Sequence, residues 1–493
     1  MNQYNFKWLV CLFIGLFLLY GQTSKAQIAG TPYITPVKQI TAPCLDKSTS
    51  GTEFFFTYGS VYTNRSGVSG LIFLLHIAAL EDTQVTITIP NPSENYTFTV
   101  SANTVKRIDF NAYEGITGSP DVRGRMYLNT ATGTITNRTI RITSDKPISV
   151  YNYSEFTDEE ADASMVIPTS LWGTEYYNIS YRSNVLGNNF IDVLNSEIIM
   201  AKEDNTVITL PPIPPATNST TQTLNTGNLF VTNVNRADHT GRHITSTKPI
   251  GYIASAAAAN VPTGRNFADN IFEQLMPVNQ WGKFFLVPNI RPGSNNGNVV
   301  VRILAAQDGT TVTYTNAAKT TVAGSTSINS GGTLNKGQWV EIQISGNAEN
   351  IGSYITSTKP VGVTTYMIGS QFANLGGDPS IAWVPPLQQM VQKTLVAPFI
   401  HNTTDPMQHR MLIVAKTTDK ASTTINGTVL TTGWVDDASG YSFYRYVFTN
   451  STDFGKTFKV ENLTAGVLVS IYGFTDGISY HYNAGSGGCI INP

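Results

Sequence analysis

The sequence predicts an all-β protein: a tandem array of four antiparallel β-sandwich-like repeats of about 105 residues, packed without linkers. Three observations carry this. Only 13% of the 493 residues are charged, about half the share of an ordinary soluble domain. Long amphipathic helices, coiled coils and charge-rich disorder need more charge than that to solvate a face. Apolar and polar residues alternate over short runs rich in Thr, Val and Ile, the pattern of half-buried strands. Several phrases then recur at a spacing of about a hundred residues.

Taken in order, residues 1–26 are a secretory leader. Lys7 precedes an apolar run from Trp8 to Tyr20, too short to span a bilayer. Ser24-Lys25-Ala26 is a small-x-small cleavage site, so cleavage is expected after Ala26 and the chain is expected to be secreted or at the cell surface. A lead-in, residues 27–50, carries Cys44, and the tail carries Cys489. In an oxidising compartment these two either pair as a disulfide stapling the ends or remain free or intermolecular thiols. The six His are scattered without zinc-type spacing.

The repeats are placed at 51–168, 169–277, 278–386 and 387–493, the last degenerate and including the tail. One phrase runs Arg141-Ile-Thr-Ser-Asp-Lys-Pro-Ile148, His243-Ile-Thr-Ser-Thr-Lys-Pro-Ile250 and Tyr354-Ile-Thr-Ser-Thr-Lys-Pro-Val361. A second precedes it: HIAALEDTQVTI from His76, IIMAKEDNTVITL from Ile198, RILAAQDGTTVTY from Arg302, and a weaker LIVAKTTDKASTTI from Leu412. A third marks the junctions, as Leu171-Trp-Gly-Thr-Glu-Tyr-Tyr177 and Gln280-Trp-Gly-Lys-Phe-Phe285. The second phrase reads as a β-hairpin whose acids sit at turn positions and bond local backbone. The Lys-Pro phrase reads as strand, tight turn, strand, because proline lacks a donor and starts a strand better than it continues one. Glu81-Asp82, Glu203-Asp204 and Gln307-Asp308 are accordingly structural. Every second position in most strands is polar, which predicts one wet sheet face and therefore sandwiches. The alternative is a β-propeller with two blades per repeat, whose inner strands would be continuously apolar; only Leu71–Leu75 and Val299–Val301 look so.

Together, AKEDNTVITL (201–210), ITSTKPIG (244–251) and the stretch from Glu273-Gln-Leu-Met-Pro277 through Trp281-Gly282 resemble the N-terminal domain of the IgG Fc-binding protein family. The resemblance covers about residues 50–400. It implies an extracellular binding or adhesion role, without a residue motif for IgG contact. The short leader, the lack of companion domains and the Asn/Thr/Ile-rich composition look like those of a bacterial member.

No catalytic constellation is present: no G-x-S-x-G, H-E-x-x-H, Walker loop or G-x-G-x-x-G. A net charge of −2 excludes a basic nucleic-acid footprint. Asp158, Glu159, Glu160 and Asp162 could hold a calcium ion or form a solvated acidic loop; no other cofactor is expected. The segments after each Lys-Pro strand, 154–164, 255–270 and 370–380, occupy equivalent places and are the candidate recognition loops. Their candidate binding residues are Phe156, Asp162, Arg265, Phe267, Asp269, Phe372, Asn374 and Asp378. The competing reading tucks each Phe into its sandwich and gives each Asp a turn to cap. The expected function is non-enzymatic binding or adhesion to an extracellular protein or glycan. The alternatives are a polysaccharide-active enzyme or its accessory module, and a structural subunit of a surface assembly.

Overall fold

The computed structural model describes residues 48–59, 61, 70–90, 93–110, 122–129, 131–156, 160–183, 194–212, 217–235, 237–263, 268–290, 299–344, 350–369, 377–400, 407–449, 453, 455–475, 477–488 and 491. The leader 1–26, Cys44, Asp158, Glu159, Arg265, Phe267, Phe372, Asn374 and Cys489 lie outside the described residues.

The first group of strands shows the plan. It comprises β1 (Gly51–Phe56), β2 (Leu71–Ala79), β3 (Thr83–Ile89), β4 (Glu94–Val100), β5 (Thr104–Asp109), β6 (Gly133–Ile135), β7 (Ile140–Phe156) and β8 (Glu160–Val166). β7 is 17 residues long and belongs to two layers. Its first half pairs with β1 and β3, and β4 adds beyond β3. Its second half pairs with β2 and β8, and β5 adds beyond β2. All these pairings are antiparallel. The two layers fold over a shared core of Phe54, Phe73, Leu75, Ile87, Ile142 and Val150, among others. This is the two-layer packing that alternation predicts, with one strand common to both layers.

The same pairing order recurs in the strands Gly173–Gln274 and Gly282–Trp383, around the long strands His243–Ala259 and Gly352–Met367. In Lys393–Gly485 the long strand is cut in two, Phe458–Glu461 and Val467–Thr475, and the layers become separate four- and five-stranded sheets. The interruption, Asn462-Leu-Thr-Ala-Gly466, stands where the other units carry Ser-x-Lys-Pro. β6 leaves its own group and pairs with Leu229–Asn235 of the second sheet, tying the first two units together.

Both recurring phrases are corners between layers, and neither is the expected hairpin. β2 and β3 bond to different halves of β7, not to each other. The Lys-Pro phrase carries the long strand across without reversing it. At that bend the Ser144, Ser246 and Ser357 hydroxyls each donate to the carbonyl of the Lys two residues on, at 2.7 Å, a local bond that competes with the ladder and turns the chain. The acidic corner is pinned from both sides. Asp82, Asp204 and Asp308 accept the backbone N–H groups of Ala102, Thr226 and Lys336, at 2.7, 2.9 and 2.9 Å. Lys248 and Lys359 donate their Nζ to the carbonyls of Asp204 and Asp308. The acids are structural, as expected, but they cap a neighbouring corner 20 or more residues away.

The predicted wet face holds for the outer layer only. β3 alternates buried with exposed or half-buried positions and β4 half-buried with exposed ones, whereas β2 and β8 are buried at every residue. The second face of the inner layer packs against the other units, so its alternating polar residues are buried too. Glu155, Glu160, Asp162, Glu197, Asp269, Glu273, Arg302 and Glu341 are all 0–1% exposed. Alternation marks a chemical difference between faces and does not say that water wets the polar one.

The junction tryptophans explain one more recurrence. Trp172 and Trp281 donate their indole N–H to the carbonyls of Ile167 and Met276, both at 3.1 Å. Their rings lie over the glycine that follows Lys-Pro-Ile or Lys-Pro-Val. A Cβ on Gly251 would stand 2.5 Å from Trp172 Cζ2, and one on Gly362 2.8 Å from Trp281 Cζ2. The first unit has no such tryptophan and carries Ser149 at this place. Gly362→Ala should therefore lower the unfolding free energy by about 1–3 kcal/mol through overpacking, measured by urea denaturation; an unchanged midpoint would show that the ring yields.

Candidate functional site

Four strands meet at the centre: β8, Asp269–Gln274, Ser380–Trp383 and Ile478–Gly485. Each is the partner of a long strand on one edge, and β8 and Ser380–Trp383 each contact both Asp269–Gln274 and Ile478–Gly485. Among the described residues the edges that face the centre have no strand partner, so their N–H groups need another acceptor. One side chain supplies it. Asp162 Oδ1 accepts the N–H of Ala163 at 2.8 Å and of His481 at 3.4 Å, and Oδ2 accepts those of Phe272 and Ile381, both at 3.2 Å. Ala163, Phe272 and Ile381 are successive equivalents, each 109 residues from the last. A single carboxylate thus gathers backbone donors from all four units.

Further side-chain-to-backbone bonds continue this arrangement along the axis. Asp269 accepts from Ala161 N at 2.8 Å, Gln274 from Ile167 N at 3.0 Å, and Glu273 from Trp383 N at 3.0 Å. Ser164 accepts from Gln274 N and Ser479 from Asp378 N, at 3.0 and 2.8 Å. Positions along one strand rise with those on its neighbours, so the four central strands run in the same direction. The first residues of the four central strands, Glu160, Asp269, Ser380 and Ile478, consequently lie at one end of the hub.

Burial dominates the electrostatics. It pushes Asp162 well above the usual carboxylate range, against the pull of the N–H groups of Ala163, Ile381 and Phe272, while Glu273 adds to the rise. Asp269 is raised well above its usual value by burial and then by Asp378, Glu160 and Asp162. Burial pushes Glu273 up to about 8, and contacts with Ser164 and Trp383 only partly offset it. His481 goes the other way, to about 3, because burial disfavours its cation.

One junction between units holds a buried cation. Arg302 lies flat between Tyr181 and Trp339, its guanidinium carbon 3.9 and 4.2 Å from the ring centres. It bonds Asp238 at 2.7 Å, Glu341 at 3.1 Å and the Ser180 carbonyl at 2.7 Å. The corresponding place where the last unit meets the first holds His76 stacked on Phe399 at 3.9 Å.

Of the expected loop residues, those described are internal. Phe156 is 5% exposed and belongs to the first sandwich core. Asp162, Asp269 and Asp378 lie in or beside the central strands, 0–3% exposed, and the carboxylates of Asp162 and Asp269 cap backbone N–H groups. Burial corrects the placing of these three acids on an exposed recognition loop; the carboxylates of Asp162 and Asp269 are drawn to unpaired N–H groups that only the assembled ring creates. The oxygens of Asp162 are taken up by those donors, which removes it from the expected calcium set, and among the described residues no group of three acids, His or Cys could hold a metal. Arg302, Glu341, His76 and His481 escaped sequence reasoning. A lone Arg inside Val299-Val-Val-Arg-Ile-Leu-Ala305 was the available signal, since a charge in an apolar strand demands a buried partner.

Asp162→Asn exchanges one acceptor oxygen for a donor facing N–H groups. Two buried donors lose their partner, and the unfolding free energy should fall by about 2–5 kcal/mol, read from chemical denaturation; a loss below about 1 kcal/mol would remove Asp162 from this role. Glu273 gives a pH signature. Its folded pKa lies above the unfolded value, so its stabilising contribution is complete below about pH 4.5 and is lost as pH rises through about 8. The gap in melting temperature between Glu273→Gln and the parent should therefore widen in favour of the variant from pH 5 to pH 9. A constant gap would show that Glu273 ionises as freely folded as unfolded.

A profile of the IgGFc binding protein family matches residues 162–473, more than half of the chain. No curated protein matches. Among solved structures, a tetra-tandem repeat in the extending region of a large adhesion protein aligns over 83% of this chain and 92% of its own, at 10% identity and a TM-score of 0.09, too low to carry an argument. The matched span begins at the hub residue Asp162 and takes in the second and third long strands with both their Lys-Pro corners. The chain belongs to the IgGFc-binding protein family.

Proposed function

We propose that this protein is exported and works outside the cell as a non-enzymatic binding or adhesion protein, recognising an extracellular protein partner with the connections at one end of its hub. The observation that carries this is the shared level of Ala163, Phe272, Ile381 and His481 on Asp162, which puts the first residues of all four central strands at the same end. Binding groups are commonly placed on loops held by a rigid scaffold. The acids of the earlier candidate set are spent inside the hub, so the recognition residues are Arg265, Phe267, Phe372 and Asn374. Family membership supports a protein partner; a glycan is the second reading.

Export rests on the leader of residues 1–26, and no helix among the described residues is long and apolar enough to cross a membrane. The non-enzymatic reading draws support from the cavities among the described residues. Two of them, one at Leu286–Ile290 and one at Ser48–Ser50, are lined without a carboxylate, whereas glycoside hydrolysis uses a pair of carboxylates about 5–9 Å apart.

The test is a binding screen of the mature chain against extracellular proteins and glycans, run beside a polysaccharide hydrolysis assay. The paired variants Arg265→Ala/Phe267→Ala and Phe372→Ala/Asn374→Ala should each weaken capture at least about tenfold, roughly 1.4 kcal/mol, with the melting temperature unchanged. Hydrolysis by the parent, or capture untouched by both variants, would overturn the proposal.

A further inference from the structure

A cavity of about 50 Å³ lies where the third unit meets the last. Its walls are aliphatic, with Leu286 and Ile290 on one side and Leu412, Val414 and Leu468 on the other. Its remaining lining includes Thr365, Trp383 and His481, which are 3%, 2% and 2% exposed. Thr365 Oγ1, Trp383 Nε1 and both ring nitrogens of His481 have no hydrogen-bond partner among the described residues. Buried polar atoms are nearly always satisfied, by protein, water or ligand. Here four such atoms belong to three side chains that line one space.

Two of the other junctions show how the same space is filled elsewhere. In each unit the inner-layer strand reaches the long strand at an alanine, Ala79, Ala305 and Ala415 among them, and three residues earlier stand His76, Arg302 and Leu412. Across the junction, eight residues beyond the pairing with the long strand at Val391, Gly173 and Gly282, stand Phe399, Tyr181 and Ile290. Two of these junctions are filled by a ring: His76 on Phe399 and Arg302 on Tyr181, each at 3.9 Å. The third has Leu412 and Ile290 instead, and two aliphatic side chains do not fill what a stacked pair fills.

We propose that this cavity is a binding site for a small uncharged amphiphile, a short aliphatic body bearing one hydroxyl or carbonyl group. The chemistry follows from the lining. Nothing charged borders the cavity, and burial holds His481 neutral, so an ion would lose its hydration without compensation. The walls take a hydrocarbon body, and the indole N–H, the hydroxyl and the imidazole take one polar group. Size sets the upper limit: an apolar cavity of about 150 Å³ accepts benzene, so a third of that volume admits only a few heavy atoms and excludes a sugar ring. This site is internal and independent of the loop surface proposed above.

The probe is propan-2-ol, titrated into the folded chain while the Trp383 indole N–H resonance is followed by NMR, with acetate as a charged molecule of similar size. The resonance should move saturably with propan-2-ol and not with acetate. Ile290→Phe, which installs the ring that the closing junction carries as Phe399, should abolish the response while keeping or raising the melting temperature. Should that variant fail to fold, Val414→Ile fills the same space more gently and should weaken the response. A linear response, an equal response to acetate, or one unchanged by filling would overturn the proposal and leave the cavity to ordered water.

Discussion

Four backbone N–H groups, one from each unit, point at the centre of this protein, and the carboxylate of Asp162 accepts all of them. Antiparallel sheets leave an unpaired edge, and in a ring of such sheets the inner edges face one another across a dry space. An unsatisfied buried donor costs about 1–3 kcal/mol, so four of them would oppose assembly by a large fraction of a typical domain's stability. A carboxylate has about four lone-pair sites on two oxygens, which matches the number of donors. One acid at one level is enough, which is why the equivalent places carry Ile271, Ser380 and Tyr480.

The rest of the interior follows from the same problem. Inner-layer strands are buried on both faces, one in a sandwich core and one against neighbouring units. Polar residues of these strands, Asp269, Glu273, Gln274 and Ser164, satisfy backbone donors of adjacent strands instead of meeting water. Farther from the axis the junctions are filled individually, by Arg302 between aromatic rings, by His76 on Phe399, and incompletely by Leu412 and Ile290. Recurring residues therefore build each unit, and singular residues join the units. The chain ends take part in closure: Ser48 bridges Gly487, and Gly487 N donates to the Gln389 carbonyl at the third junction.

Much of the fold was legible because it is local. Ser-x-Lys-Pro, the acidic corner and the junction tryptophan each make short-range bonds, so their recurrence revealed both the β class and the family. Their role was misread where topology decides: β2-corner-β3 has the sequence of a hairpin, but β2 and β3 bond opposite halves of β7. The polar alternation was read as wet for a related reason, since burial of the second face is set by units a hundred residues away. Asp162 and Asp269 were singled out correctly as unusual and assigned incorrectly to a surface. Nothing within residues 154–164 indicates that the N–H groups of Phe272, Ile381 and His481 will arrive there.

A hub held by one acceptor also bears on function, because it sets the first residues of the four central strands at one end. The account stands or falls on whether those donors behave as one set. Amide hydrogen exchange at Ala163, Phe272, Ile381 and His481 tests this directly. If Asp162 binds all four, they should exchange together, in the slowest class, with a common opening free energy equal to that of global unfolding. Fast or independent exchange at any of them, with its neighbours still protected, would contradict the claim that one carboxylate holds the four units around a common centre.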